Sequence, residues 1–160
     1  TAVYSKNSGM KVIGINSSGL IKNEHIDEAY TLKDLDIVLS KSDYVINLLP
    51  SNDDTKHLLS LDKMKLMKKN ACFINMGRGD IIETDVLYEV LKDGIIKGAV
   101  SDVFETEPLP EDSKLWELEN LIITPHICGA SDIYIEKGIL LFLENFKNYV
   151  SGNEVFNRVV

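Results

Sequence analysis

The chain has 160 residues, 44% of them hydrophobic and 26% charged, with a formal net charge of −8, the make-up of one globular domain with a sizeable core. No cluster of Lys and Arg interrupts the acidic background, which excludes the basic footprint of a nucleic-acid binder and any attraction to an anionic membrane. An anionic ligand therefore needs local positive groups, because the overall field repels it. Cys72 and Cys128 are far apart and give neither a disulfide framework nor a metal-ligand spacing, so no metal is expected. Both lie in apolar surroundings and read as reduced thiols of a cytoplasmic protein. The longest apolar runs, such as Ile139 to Leu143, are too short to span a bilayer. No signal-peptide pattern opens the chain. It begins with Thr1 rather than Met, so the native start is expected upstream.

In chain order, Lys11 to Ile15 predicts a short buried strand. Thr31 to Ser40, with apolar residues at Leu32, Leu35, Ile37, Val38 and Leu39, predicts a helix whose start is capped by Thr31 with Asp34. Tyr44 to Leu49 is a second strand, stopped by Pro50. Ser60 to Met67 is a short helix with Ser60 as its N-cap. Ala71 to Asn75 is a third strand, running into Gly77 and Gly79. Glu83 to Lys92 is a helix stopped by Gly94. Gly98 to Val103 and Leu121 to Thr124 are a fourth and a fifth strand, and Ser131 to Val150 is a long helix. Residues 105–114, rich in Pro and acids, read as a surface connection.

Strands that are continuous apolar runs alternating with helices predict an α/β fold, a parallel sheet covered on both faces. Ligands of such sheets sit outside the carboxyl ends of the strands. The residues leaving those ends are Asn16-Ser17-Ser18, Leu49-Pro50, Met76-Gly77-Arg78, Asp102 and His126. The last helix is apolar on every face along Ile139 to Leu143. Such a helix has to be buried all round, which predicts packing against a second domain or subunit outside this chain.

Three segments carry chemistry. Arg78 stands between Gly77 and Gly79 just beyond a strand; its planar fork matches a carboxylate, and glycines let backbone approach a ligand closely. Asp102 closes an apolar strand, where a carboxylate needs a partner, and Glu107 precedes Pro108, which holds its backbone extended. His126 leaves a strand end ahead of a helix. His25 and His57 lie in polar segments and receive no role.

Together, Asn75-Met76-Gly77-Arg78-Gly79, Asp102-Val103-Phe104 with Glu107-Pro108-Leu109, and Leu115-Trp116 through Asn120 to Thr124-Pro125-His126-Ile127 closely resemble the D-isomer-specific 2-hydroxyacid dehydrogenase family. Arg78 and Glu107 are 29 positions apart, and Glu107 and His126 are 19 apart, as in that family. The resemblance covers essentially the whole chain and implies a Rossmann-type doubly wound parallel sheet. It implies a reaction between a small 2-oxo acid and a D-2-hydroxy acid with NAD(P)H. Arg78 would hold the substrate carboxylate, and His126 would donate a proton to the oxo oxygen as hydride arrives. Glu107 would hydrogen-bond the imidazole and favour its charged form. Asp102 would contact the nicotinamide carboxamide, Leu49, Pro50, Met76 and Gly77 would line the cofactor, and Gly129 would leave room beside it.

The sequence departs from the family in two respects. No G-x-G-x-x-G occurs, although that turn seats the pyrophosphate on a helix N-terminus. Thr1 to Tyr4 resembles the middle of the helix that follows it. The resemblance therefore implies an incomplete NAD(P)-binding domain over residues 1–130, lacking its first strand and glycine-rich loop. Residues 131–160 would form a helix and tail returning towards an absent substrate domain. Such a fragment is expected to be inactive by itself. Second, NAD enzymes usually carry an acid after the second strand, whereas Asn16 is neutral and is followed by Ser17 and Ser18, with Lys22 nearby. NADP is thus favoured over NAD. The family also implies a homodimer. A second reading, a dinucleotide-sensing corepressor-like binding protein of the same fold, has no added tail or docking segment to support it, and a degenerate remnant is opposed by the intact Arg78, Glu107 and His126.

Overall fold

A computed structural model of the chain describes residues 1–157. The chain forms two compact units, one from Thr1 to Pro125 and one from His126 onward. The last three positions of the 131–160 tail expected from the sequence lie outside the described residues.

The first unit opens with helix α1 (Ala2–Asn7), followed by strands β1 (Ile13–Ile15) and β2 (Glu28–Tyr30). A short 3-10 turn, Leu32–Asp34, leads into α2 (Leu35–Lys41). Strand β3 (Tyr44–Asn47), helix α3 (Leu61–Met64) and strand β4 (Cys72–Asn75) come next. Helix α4 (Thr84–Lys92) and strands β5 (Gly98–Ser101) and β6 (Leu121–Ile123) complete the unit. The predicted caps are present. Asp34 accepts from both the backbone N–H and the hydroxyl of Thr31, and Ser60 accepts from the Lys63 N–H. Gly94 ends α4 with φ +63°, a conformation that favours glycine.

All strand pairs are parallel, as expected for α/β crossovers. They form two sheets, β1-β2 and β3-β4-β5-β6. A doubly wound sheet places its first strand centrally, between the second and the fourth. With β1, β2 and β3 as the second, third and fourth strands of that order, the two sheets correspond to its two flanks, and among the described residues no strand joins them.

In the larger sheet one cross-strand row is Val45, Phe73, Ala99 and Leu121. Phe73 is fully buried in a core with Leu39, Met64, Leu87 and Val90 from helices α2, α3 and α4. The opposite face carries the row Ile46, Ile74, Val100 and Ile122. Ile122 is 62% exposed, Tyr44 58% and Ile46 39%. The expectation of a sheet covered on both faces is therefore met on one face only. The uncovered row is as apolar as the covered one, which is why the sequence pattern does not tell them apart.

Other differences are local. Strand β2 is absent from the sequence-based reading because Glu28-Ala29-Tyr30 is short and no apolar run marks it. Its start is tied by charge: Lys6 meets Asp27 at 2.6 Å, and Lys11 pairs with Glu28. The Lys6 hydrogen bond lowers the pKa of Asp27, and the Lys11 hydrogen bond lowers that of Glu28. The expected helix from Ser60 to Met67 is a single turn of α-helix, because the chain then bends through Lys68 to bring Ala71 into the sheet, with Ala71 N–H donating to the Lys68 carbonyl.

The second unit consists mainly of helix α5 (Tyr134–Val150). None of its residues is buried, and Leu140, Phe142 and Phe146 are all more than half exposed. Within the described residues the helix lacks the all-round burial its composition calls for. Cys128, expected in apolar surroundings, is exposed.

Candidate functional site

The carboxyl ends of β3, β4 and β5 are aligned in one polar row: Asn47 pairs with Asn75, and Asn75 with Ser101. All three side chains are buried. Buried amides need partners, and these have them. The Asn47 amide donates to the Asn75 side-chain oxygen at 2.8 Å. The Leu49 N–H donates to the Asn47 oxygen, and the Gly77 N–H to that of Asn75. The Asn75 amide donates to the Arg78 carbonyl at 3.2 Å. One asparagine pair thus shapes both the Leu49-Pro50 turn and the Met76-Gly77-Arg78 turn. Asn47 was missed in the sequence. Its signal is that consecutive apolar strands each finish on a small polar residue at the same register.

Packing alone already requires glycine in this turn. A Cβ on Gly79 would stand 1.9 Å from the Phe104 carbonyl carbon, and one on Gly77 would stand 2.6 Å from the Asn47 amide. Both glycines allow close packing of protein on protein. The outcome is the same for Arg78, which is held between two immobile contacts. Its guanidinium donates to the Gly77 carbonyl at 2.9 Å.

Phe104 links Arg78 to Glu107. Its backbone packs against Gly79, and its N–H donates to the Glu107 carboxylate at 2.9 Å. The structure therefore brings the Arg78 and Glu107 segments together. The Glu107–Pro108 bond is cis, a detail not expected from the sequence. Asp102 is 1% exposed and has the partner its burial demands. The Thr124 hydroxyl donates to its carboxylate at 2.5 Å, and its N–H donates to the Asn75 carbonyl.

The loop after β1 is organised by its own polar groups. Asn16 accepts from the Gly19 N–H at 2.7 Å and donates to the Leu20 carbonyl, while the Ser18 hydroxyl accepts from the Leu20 N–H. Ser17 is exposed, as is Lys22. Of the other expected contacts, Leu49 is half-buried, Pro50 and Met76 are exposed, and Gly77 is buried. In the second unit His126 has φ +54°, and Gly129 has open space around its Cβ direction. Among the described residues no group of three or more His, Cys, Asp or Glu is placed to hold a metal ion, and no helix is long and apolar enough to cross a membrane.

The sequence profile of the NAD binding domain of D-isomer specific 2-hydroxyacid dehydrogenases matches residues 1–128. A glyoxylate/hydroxypyruvate reductase B from Cronobacter sakazakii is 43% identical over 126 residues, 79% of this chain and 39% of the reductase. A probable 2-ketogluconate reductase from Dictyostelium discoideum is 46% identical over 110 residues, 68% of this chain and 33% of its own length. A D-isomer specific 2-hydroxyacid dehydrogenase from Xanthobacter autotrophicus Py2, solved with NADPH and MES, superposes with a TM-score of 0.91 at 29% identity. That match covers 99% of this chain and 64% of the other. The chain spans well under two thirds of the length of these curated relatives.

Proposed function

The chain belongs to the D-isomer-specific 2-hydroxyacid dehydrogenase family as its NAD(P)-binding domain, and on that premise we propose that the protein containing it interconverts a small 2-oxo acid and a D-2-hydroxy acid. The observation that carries this reading is the fixed placement of Arg78, with its turn pinned by Asn75 on one side and by Phe104 on the other. Arg78 binds the substrate carboxylate through its planar fork, against an acidic background that offers no other attraction. Glu107, anchored through Phe104, is the carboxylate we assign to orient the His126 imidazole. His126 gives its proton to the oxo oxygen, or takes it back in the reverse direction. The residues present fit one end of a dinucleotide. Leu49, Pro50, Met76 and Gly77 offer backbone and apolar surface, and Asp102 offers a buried acceptor for the carboxamide; Gly129 is proposed beside the cofactor from the family pattern alone. They do not supply a glycine-rich pyrophosphate turn, so these 160 residues alone are expected to bind cofactor poorly and to turn nothing over. When bound, the nicotinamide supplies the hydride.

We assign NADPH as the preferred form. Asn16 is neutral at the end of β1, where NAD enzymes usually carry an acid, and Ser17 and Lys22, one and six positions on, are exposed. Relatives solved with NADPH or NADP favour the same choice. We further place the protein in the cytoplasm as a homodimer, in which the exposed apolar face of α5 would be covered. The test uses the full-length protein. Oxidation of NADPH and NADH is followed with glyoxylate, hydroxypyruvate, pyruvate and branched 2-oxo acids. Turnover with at least one acid, a lower KM for NADPH than for NADH, and a sharp rise in the acid's KM in Arg78→Gln are expected. Absence of turnover with every acid would leave the corepressor-like binding role as the better reading.

A further inference from the structure

His57 lies in the loop that follows β3, seven positions after Pro50 and 21 before Arg78. Its backbone has φ +52°, a conformation that non-glycine residues adopt rarely and keep only where their surroundings impose it. The surroundings here are specific. The His57 N–H donates to the Asp80 carbonyl at 2.7 Å, and the Leu59 N–H donates to the Ile81 carbonyl at 3.0 Å. The Asp80 carboxylate accepts from the Ser51 hydroxyl at 2.5 Å. The ring itself stands between two carboxylates: Nδ1 is 3.3 Å from Glu83 and Nε2 is 3.1 Å from Glu105. Glu105 also accepts from the Thr84 N–H at the start of α4. Burial works against the charge on Glu105, yet the Thr84 and His57 hydrogen bonds hold its pKa below the ordinary value.

These contacts join three segments. Asp80 is two residues after Arg78, and Glu105 is two residues before Glu107. The same two segments already meet where Gly79 packs on Phe104. A surface ion pair is by itself worth little. This one closes a ring of bonds around the turn that aims the only arginine among the residues proposed to act on substrate.

We propose that His57 is a positioning residue: bridging Glu83 and Glu105, it ties the 51–59 loop to the Arg78 and Glu107 segments and fixes the direction of the Arg78 guanidinium. The proposal rests on the carboxylate-binding role given to Arg78 above, and its test separates the two. Two variants of the full-length protein are compared with wild type. His57→Gly removes the ring while easing the positive φ, and Glu105→Gln keeps the shape while removing one charge. Neither residue is placed in contact with substrate or cofactor. Hydrogen exchange is read in peptides covering residues 51–59, 78–84 and 104–107, alongside kcat and KM for the 2-oxo acid and the dissociation constant of the cofactor.

Both variants are expected to exchange faster in all three peptides and to raise KM for the acid by roughly tenfold, the scale of a small misplacement of a binding group. Cofactor affinity stays unchanged. If exchange quickens only around residue 57, or if KM stays at the wild-type value while the enzyme turns over, the positioning role is overturned. If no 2-oxo acid is turned over by wild type, the dehydrogenase reading fails, and the exchange data alone decide whether the bridge holds the three segments: unchanged exchange overturns it.

Discussion

The two faces of the four-stranded sheet carry the same kind of side chain and meet different surroundings. On one face Val45, Phe73, Ala99 and Leu121 lie under α2, α3 and α4, with Phe73 wholly out of solvent. On the other, Ile46 and Ile122 remain exposed, and Tyr44 beside them as well. Apolar patterning reports what a face requires, and it does not say which part of a protein supplies the cover. Here the helices between β2 and β5 cover one face from within the chain. The open face and the exposed apolar side chains of α5 both call for further cover. That agrees with a chain spanning less than half the length of these curated relatives.

Substitutions on the two faces sharpen this contrast. The largest effect is expected from Phe73→Ala, which leaves a cavity in the packed core and costs about 3–5 kcal/mol in a denaturant titration. An intermediate effect, about 1–3 kcal/mol, is expected from Asn75→Ala, because it strands the buried Asn47 amide and the Gly77 N–H. The smallest is expected from Ile122→Ala, within about 0.5 kcal/mol in the 160-residue chain and larger in the full-length protein, where the open face is covered. A large cost for Ile122→Ala in the short chain would break the comparison.

Acid adds a further check on the loop cluster. The folded pKa of Glu105 lies below its ordinary value of 4.5, so its stabilisation is complete above that value and is lost as pH falls through the lower, folded value. Protection of the Thr84 amide, corrected for intrinsic exchange, should hold from neutral pH down to about the ordinary glutamate range and then decline. In Glu105→Gln the protection should be low throughout and show no such step. A wild-type profile as flat as the variant's would contradict the assignment.

Much of the fold was legible because its elements obey local rules. Phe73 and Ile74 stand in a bounded apolar run, and Thr31 with Asp34 forms a cap that both sequence and structure show. Strand β2 was not legible, because a three-residue edge strand beginning with Glu28 has no periodicity to read. Of the site, Arg78 and Asp102 stood out as charges at the ends of apolar strands. Asn47 and His57 did not. Asn47 acquires its role only through its register with Asn75, and His57 through contacts with Glu83 and Glu105, 26 and 48 positions away. The roles of Gly77 and Gly79 show the limit most clearly. The sequence marks them as necessary, and only the packing against Asn47 and Phe104 says for what.

The proposal made above gives His126 the role of proton donor and Arg78 that of carboxylate anchor in a 2-hydroxyacid dehydrogenase. Its most direct test is the single-turnover rate of the full-length protein with His126→Gln beside wild type, with cofactor binding measured in both. The account predicts a rate lower by a factor on the order of 10²–10⁴, as for loss of a general acid, with cofactor affinity unchanged. A variant that reduces a 2-oxo acid at the wild-type rate would contradict it.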